Sequence, residues 1–252
     1  MMITRKSKRE IEQMQQAADI LIACHKKIAE MIKPGLTTME IEDFVEDFLK
    51  QHDATPEQKG FSGYRYATCA SINDEICHGF PRHEKLNDGD IVTIDMVVNY
   101  KGGLADSAWT YAVGNVDEKG KRLMEVTEES LYRGIAVAKA GNRIGDIGHA
   151  IQSYAEAEGF SVVRDFTGHG IGPTIHEEPH IPHFGLPHKG LRLKEGMVIT
   201  IEPMINEGTW QSQMDDNGWT ARTTDGGRSA QYEHTIVITA DEPLILTEQN
   251  PK

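Results

Sequence analysis

The chain has 252 residues, a formal net charge of −13 and three cysteines. This length allows a sizeable core, and the acidic balance argues against a nucleic-acid partner, which would need clustered Lys and Arg. No apolar run approaches the ~20 residues that span a bilayer, and no signal-peptide pattern is present. Three cysteines are too few for a disulfide framework. We therefore expect a cytoplasmic protein with no membrane contact.

Two capping boxes predict the first two helices. Ser7-Lys8-Arg9-Glu10 begins a helix that Pro34-Gly35 ends, and Thr37-Thr38-Met39-Glu40 begins the next. Apolar residues three and four apart give each helix one buried face. The acids of the second helix lie mostly on its opposite face, which favours a solvated surface over a metal site.

A β-hairpin follows a loop-like region at 53–65 and a short strand at 69–72. Its strands run from Ile91 to Asn99 and from Leu104 to Val113, around the turn signal Lys101-Gly102-Gly103. This turn should bring Asp95 and Asp106 to roughly the same level of adjacent strands. Two unpaired carboxylates so close would repel each other, and a shared cation would remove the conflict.

The second part of the chain repeats the order of helices before strands. We predict helices at 118–140 and from Gly141 to 157, and strands at 162–166, 197–205 and 231–239. Residues 168–190 read as a long irregular loop, which is usually functional. Five of the 11 histidines lie there: His169, His176, His180, His183 and His188. For the three from 180 to 188 we expect exposure to solvent and no bound partner.

A duplication relates the two parts. Asp88-Gly-Asp-Ile-Val-Thr-Ile-Asp95 resembles Glu195-Gly-Met-Val-Ile-Thr-Ile-Glu202 at every position, and Lys33-Pro34-Gly35 resembles Lys139-Ala140-Gly141 at nearly the same offset. This predicts two related halves, about 1–115 and 116–252, packed as a single pseudo-symmetric catalytic domain over 1–252. A chance similarity of two β-rich segments is the alternative, and the second matching block makes it the weaker one.

Four acids in or beside apolar runs, together with one histidine, form a candidate metal site. Each acid alone is a weak signal, but a buried carboxylate is costly unless a partner compensates it. The set suits two divalent ions, which could be Co, Mn, Fe or Zn. Two such ions lower the pKa of a shared water enough to make it a nucleophile. The candidate ligands are Asp95, Asp106, His169, Glu202 and Glu233.

These residues lie in motifs through which the chain resembles the bacterial type I methionine aminopeptidases of the pita-bread metallopeptidase family. The motifs follow the family order over nearly the whole chain: Ala70-Ser71-Ile72-Asn73, His78-Gly79-Phe80-Pro81, Thr93-Ile94-Asp95, Asp106-Ser107-Ala108, Thr167-Gly168-His169-Gly170-Ile171-Gly172, His176-Glu177-Glu178-Pro179, Thr200-Ile201-Glu202-Pro203 and Ser229-Ala230-Gln231-Tyr232-Glu233-His234-Thr235.

The resemblance implies an α/β pita-bread fold, with pseudo-two-fold symmetry and a curved antiparallel sheet backed by four helices. It implies a monomeric metallo-exopeptidase that removes N-terminal methionine from nascent proteins and prefers a small second residue. The enzyme would meet these nascent proteins at the ribosome. A related aminopeptidase or a prolidase is the alternative enzyme, although prolidases usually carry an extra N-terminal domain that we do not expect here. Non-catalytic relatives lose metal ligands, whereas this chain keeps all five.

The resemblance also implies residue roles. Asp95, Asp106 and Glu233 would hold one metal, with the last two bridging, and His169 and Glu202 would complete the second site. The substrate's free α-amine would reach a metal.

Further roles lie around the reacting amide. Glu202 would be the general base, His78 would assist the departing amine, and His176 would hydrogen-bond the substrate carbonyl. A methionine pocket that suits sulfur–aromatic contacts would be lined by Phe61, Tyr64, Cys69 and Trp219. For these aromatic residues, packing within their loops is the alternative.

Some positions depart from the common family pattern. Gln58 stands where many members have Cys, Phe61 replaces a frequent Tyr, and Ile175 replaces a common Phe. These differences put the pocket wall in question, not the reaction. Some members bind a monovalent cation at the positions of Asn73, Glu75 and Ser229.

Overall fold

Four helices begin where side chains can accept hydrogen bonds from unpaired backbone N–H groups. In the structure, a computed structural model that describes residues 3–249, both predicted capping boxes are confirmed, at Ser7 with Glu10 and at Thr37 with Glu40. The termini of the predicted domain, residues 1–2 and 250–252, lie outside the described residues. The helices are α1 (Lys8–Met31), α2 (Thr38–Gln51), α3 (Glu118–Ala136) and α4 (Ile144–Ala157).

The third helix is shorter than predicted. It ends at Ala136 rather than at residue 140, because the chain turns away to bond with other segments: the Ala140 N–H donates to the Thr239 carbonyl, and the Gly141 N–H donates to the Leu193 carbonyl.

The strands described within residues 3–249 are β1 (Thr55–Pro56), β2 (Cys69–Ile72), β3 (Glu75–Cys77), β4 (Ile91–Tyr100), β5 (Gly103–Ala112), β6 (Ser161–Val162), β7 (Gly168–Gly170), β8 (Glu177–Ile181), β9 (Val198–Ile201), β10 (Met204–Asn206), β11 (Ser212–Met214), β12 (Ala221–Thr223), β13 (Ser229–Gln231), β14 (His234–Val237) and β15 (Leu244–Ile245). All pairs of these strands are antiparallel. They form four hydrogen-bonded groups, in the orders β1-β4-β2 with β5 beside β4, β13-β10-β6, β11-β12-β3, and β15-β14-β9-β7-β8.

The β4–β5 hairpin corrects the predicted level of its two acids. Its turn consists of Lys101 and Gly102, both with positive φ, and this register places Asp95 opposite Ala108 and Asp106 opposite Val97. The two acids are therefore diagonal neighbours, not an opposed pair. Because the shift is two residues, both side chains still lie on the same face of the sheet.

Regular structure interrupts the predicted histidine-rich loop. Strands β7 and β8 lie within 168–190, and β7 carries His169. A Cβ on Gly168 would lie 2.5 Å from the Thr200 carbonyl oxygen, and one on Gly170 would lie 2.4 Å from the Glu178 carbonyl oxygen. Such close backbone approach requires glycine, and glycine removes the apolar alternation by which a strand is predicted.

The other strands of the second half are shorter than predicted. The 197–205 segment divides into β9 and β10 around Glu202-Pro203, and the final segment divides into β13 and β14 around Tyr232-Glu233. The strand expected at 162–166 is only Ser161–Val162. Both candidate acids of this half therefore lie at strand breaks.

Equivalent backbone hydrogen bonds recur in the two halves. The Gly35 N–H donates to the Leu86 carbonyl as Gly141 donates to Leu193, and Gly89 donates to Val113 as Gly196 donates to Ile238. All four glycines have positive φ. The bonds follow the duplicated sequence blocks and support the assignment of two related halves, which stays a prediction.

The core lies between the helices and one face of the strands. Helix α1 packs against β4 and β5, and α3 packs against α4 and β13. In β4 the residues Val92, Ile94 and Met96 join the core that contains α1, so Asp95 faces the other way. The halves meet where β5 contacts β14. Among the described residues, no helix is long and apolar enough to cross a membrane.

Candidate active site

A cavity of about 470 Å³ opens between the two halves, on the face of β4 and β5 away from α1. Its lining includes all eleven residues predicted to bind metal, to act on the amide or to form the methionine pocket: Phe61, Tyr64, Cys69, His78, Asp95, Asp106, His169, His176, Glu202, Trp219 and Glu233. The structure thus brings together side chains from distant parts of the chain. Their chemical roles stay predictions.

The β4–β5 hairpin supplies two acids to this cavity. Asp106 is 4% exposed. Burial raises the pKa of Asp95 to about 7, and burial together with the nearby Asp95 and Glu202 raises the pKa of Asp106 well above its usual range. Ionising both carboxyls therefore requires a compensating positive charge.

His169 on β7 faces these acids. Its Nε2 lies 3.7 Å from Asp106 Oδ2 and 3.6 Å from Glu202 Oε1. Its Nδ1 lies 2.9 Å from the Gly170 carbonyl oxygen, which can only accept, so Nδ1 carries the proton and the Nε2 lone pair points at the acids. Burial lowers the pKa of His169 to about 3. The ring is therefore neutral near pH 7, as a metal ligand must be.

Neighbouring side chains hold the Glu202 carboxylate. Thr200 Oγ1 donates to Glu202 Oε1 at 2.9 Å, and Gln231 Nε2 donates to Glu202 Oε2 at 3.3 Å. The backbone N–H of Glu202 donates to His183 Nε2 at 3.1 Å. His183 is fully buried, so the expectation that it is solvated was wrong. Sequence reasoning missed both His183 and Gln231, although Gln231 lies inside a quoted motif.

Glu233 completes the set from the break between β13 and β14. It is 2% exposed, and its Oε1 has no hydrogen-bond partner. An unpaired buried carboxylate oxygen is costly. Burial and the other three acids raise the pKa of Glu233 well above its usual range. One ligand atom from each of Asp106, His169 and Glu233 lies within 4.8 Å of the others.

This donor set fits divalent metal ions. It contains a neutral imidazole with its lone pair directed inward, an orphaned carboxylate oxygen, and carboxyls that cannot all ionise in each other's presence. Carboxylate and imidazole ligands suit Mn, Fe, Co and Zn alike, so the donors do not select the ion.

Two more histidines lie at the rim. Burial lowers the pKa of His78 to about 4 and also lowers that of His176, so each ring is neutral near pH 7 and has one N–H to donate. The rings of His176 and His169 lie 4.3 Å apart, nearly perpendicular. His78 has φ 56°, a strained value for a non-glycine residue of the kind that clusters at functional sites.

An aromatic and sulfur-containing wall adjoins the acids. Tyr64 is buried, its hydroxyl is bonded to the Thr68 and Gly79 carbonyls, and its ring packs edge-to-face 5.1 Å from that of Trp219. Cys69 lies opposite Asp95 on β2. The cavity also has lining residues for which the sequence predicted no role in the site, although Thr167, Glu177 and Glu178 lie within its motifs: Cys77, Val97, Asp165, Phe166, Thr167, Glu177, Glu178, His180 and Met204.

Two of the positions considered for a monovalent cation, Glu75 and Ser229, differ in their contacts. The Glu75 carboxylate accepts from Arg82 and Arg222 and from the backbone N–H of Ile72. It therefore already has positive partners. The Ser229 hydroxyl is buried without a hydrogen-bond partner. The cation site stays a prediction.

Comparison with known proteins defines the family. The family model described as Metallopeptidase family M24 matches residues 12–240. The chain belongs to this family. It is 48% identical over 246 residues to "Methionine aminopeptidase 1" of Bacillus subtilis, covering 98% of this chain and 99% of that one. It is 50% identical over 246 residues to "Methionine aminopeptidase A" of Synechocystis sp., covering 97% of each.

Solved structures give the fold. A methionine aminopeptidase from Rickettsia prowazekii superposes with a TM-score of 0.96 at 42% identity, covering 98% of this chain and all of that one. A prolidase from Pyrococcus horikoshii superposes with a TM-score of 0.75 at 24% identity, and the match covers 98% of this chain but only 64% of the prolidase. The M24 chain therefore has the pita-bread fold, as predicted, and uses divalent metal.

Proposed function

We propose that this M24 protein is a methionine aminopeptidase that hydrolyses the first peptide bond of polypeptides beginning with methionine. The observation that carries the proposal is the convergence of four carboxylates and a neutral histidine beside an aromatic, sulfur-containing wall in one cavity. The high identity to proteins named methionine aminopeptidases supports the same substrate class.

Five residues would hold the metal. Following the family resemblance, we propose two ions: Asp95, Asp106 and Glu233 would hold one, and His169 and Glu202 would complete the site of the other, with Asp106 and Glu233 as shared ligands. When bound, the ions would activate water as a nucleophile and polarise the scissile carbonyl. The orphaned Glu233 oxygen is the contact that binding would satisfy.

Glu202 is the proposed general base. Burial raises the pKa of its carboxyl, which brings its proton affinity closer to what proton transfer near neutral pH requires. Thr200 and Gln231 hold its two oxygens. The carboxylate would accept a proton from the attacking water and later release it toward the leaving amine.

The neutral rim histidines would act on the substrate amide. An N–H of His176 would donate to the carbonyl oxygen, where negative charge develops as the tetrahedral intermediate forms. An N–H of His78 would contact the scissile amide nitrogen and assist its departure. Because both pKa values are lowered, each ring keeps this one-donor form near pH 7.

The pocket would select methionine through shape and polarisable contacts. Tyr64 and Trp219 offer ring edges, Cys69 offers a small sulfur-bearing wall, and Phe61 packs against His176 with 5.2 Å between ring centroids. Thioether–aromatic contacts are favourable. We also propose that a small second residue is preferred.

The proposal extends to the setting of the reaction. Three free cysteines are consistent with the cytoplasm, and the net charge of −13 disfavours nucleic acid. We propose a monomer that meets its substrates as nascent chains leave the ribosome.

A metal titration with two substrates tests the function. Protein stripped by a chelator should release methionine from Met-Ala-Ser only after Co²⁺, Mn²⁺, Fe²⁺ or Zn²⁺ is restored. The matched substrate is an Xaa-Pro dipeptide, on which a prolidase would act. Strong release from that dipeptide, with Met-Ala-Ser untouched, would replace the proposal by the prolidase alternative.

A further inference from the structure

One edge of β4 has a gap in its hydrogen-bonded pairing. Strand β1 pairs with β4 at Asn99 and Val98, and β2 pairs with it from Asp95 back to Val92. Neither strand pairs with Met96 or Val97. The gap begins beside a predicted metal ligand, where buried backbone groups still need hydrogen-bond partners.

The Gln58 side chain lies in this gap. Its Oε1 accepts from the Val97 N–H at 2.6 Å, and its Nε2 donates to the Asp95 carbonyl at 3.2 Å. Reversing the amide would set oxygen against the carbonyl and nitrogen against the N–H, so the contacts define its orientation. The Glu57 N–H donates to the Val97 carbonyl at 2.9 Å, so the Gln58 carboxamide supplies the two contacts of this pairing that remain.

The same amide reaches the pocket wall. Nε2 has a second hydrogen to donate, and this nitrogen lies 3.6 Å from Cys69 Sγ. Cys69 is directly opposite Asp95 on β2. Gln58 is 7% exposed and lines the cavity, so little solvent is available to substitute for its hydrogen bonds.

We propose that Gln58 is a positioning residue that joins β2 to β4 across the gap and so aligns the metal ligand Asp95 with the Cys69 wall of the pocket. It acts through the backbone on which Asp95 stands and touches neither the carboxylate nor the metal. The effect on methionine binding rests on the proposed function, whereas the effect on the strand does not.

The Gln58→Met variant tests this role because it keeps the side-chain length and removes both the donor and the acceptor. We expect amide exchange at Val97 to accelerate at least about tenfold in metal-free protein. The Val113 amide, which donates to Asp90 in the same hairpin, should keep its rate. Affinity for Mn²⁺ or Co²⁺, measured by calorimetry, should fall about tenfold, and KM for Met-Ala-Ser should rise by a larger factor than kcat falls.

Gln15→Met is the matched control. Gln15 also donates to a backbone carbonyl, that of Leu246 at 3.0 Å, but it lies on α1 and not in the cavity lining. It should change neither Val97 exchange nor metal affinity. If Gln58→Met behaves like this control, the positioning role is wrong.

Two further outcomes separate the inference from the proposed function. Wild-type protein that releases no methionine would refute the function, while exchange and metal affinity would still decide the role of Gln58. If Gln58→Met does not fold, Gln58→Asn replaces it, because the side chain is one methylene too short to reach both backbone groups. If the Val97 amide of that variant exchanges at the same rate as in the wild type, the inference is overturned.

Discussion

The two halves deliver their acids to the cavity in different ways. In the first half Asp95 and Asp106 stand in the middle of long strands, and the hairpin register sets their spacing. In the second half Glu202 and Glu233 stand at strand breaks, and Glu202 depends on side-chain hydrogen bonds for its direction. Segments with matching backbone hydrogen bonds can therefore supply either rigid spacing or a carboxylate oriented by its neighbours.

The duplicated threonines show the same contrast. Thr93 bonds across the hairpin to Thr110, with 2.8 Å between the hydroxyl oxygens. Thr200, its counterpart, accepts from the His169 N–H and donates to Glu202. The same residue type serves the sheet in one half and the candidate site in the other.

The largest expected effect concerns the proposed general base, Glu202, compared with a proposed ligand, Asp95. Glu202→Gln should lower kcat by about 10² to 10⁴-fold even at saturating metal, because an amide cannot accept the proton. Asp95→Asn should chiefly weaken metal binding, so that excess metal restores part of its activity. Steady-state kinetics over a metal series measures both, with circular dichroism as the folding control. Equal recovery of the two variants would remove the distinction between the halves.

Metal removal should loosen the contact between the halves. A metal at about 100 times its Kd adds about 2.7 kcal/mol to the free energy of unfolding, or about 5–10 °C in Tm for a chain of this size. Thermal unfolding with and without chelator measures the shift. Asp106→Asn, which removes a proposed shared ligand, should abolish most of it. An unchanged Tm in wild-type protein would show that bound metal does not join the halves.

The contribution of Asp95 to the stability of the metal-free protein should fall as pH rises. The pKa of Asp95 is raised from 3.8 to about 7 in the folded state, so its contribution is complete below about pH 4 and disappears as pH passes through about 7. Urea unfolding at several pH values checks this slope, which Asp95→Asn should flatten. Saturating metal should oppose the loss, because metal binds the ionised carboxylates. The same pH dependence of stability in metal-free wild type and in Asp95→Asn would contradict the burial argument.

Substitution of the paired threonines compares the halves directly. Thr200→Val should reduce kcat about tenfold, since it frees one oxygen of Glu202. Thr93→Val should cost about 1 kcal/mol of stability with little effect on kcat, since Thr93 bonds to the Thr110 hydroxyl and not to a candidate acid. Kinetics and urea unfolding on both variants measure the two effects. An equal fall in kcat would mean that both threonines serve the site.

The smallest effect tests the common backbone. Gly35 and Gly141 have φ of 90° and 96°, and neither would place a Cβ within 4 Å of another atom. Alanine at either position should therefore cost only backbone strain, about 1 kcal/mol in each case. Urea unfolding measures both losses. A clear difference between the two losses of stability would indicate that the matching hydrogen bonds of Gly35 and Gly141 contribute unequally to the fold.

The sequence predicts what local patterns encode. Capping boxes locate the starts of α1 and α2. The acids at the ends of apolar runs, together with the family motifs, identify side chains that line one cavity. It does not predict β7, because the glycines that permit close packing also remove the strand pattern. Nor does it predict that Gln58 occupies a gap in β4 or that His183 lies beneath Glu202. These contacts join segments far apart in the chain, so local periodicity contains no trace of them.

The exposed Lys101-Gly102 turn, far from any reacting group, has an evolutionary consequence. One inserted residue would slide β5 by one place along β4 and move Asp106 to the face packed on α1. Insertions and deletions should thus be rare at this turn in related genes, although nothing in the cavity touches it. Its length, more than the identity of its side chains, is what natural selection would preserve.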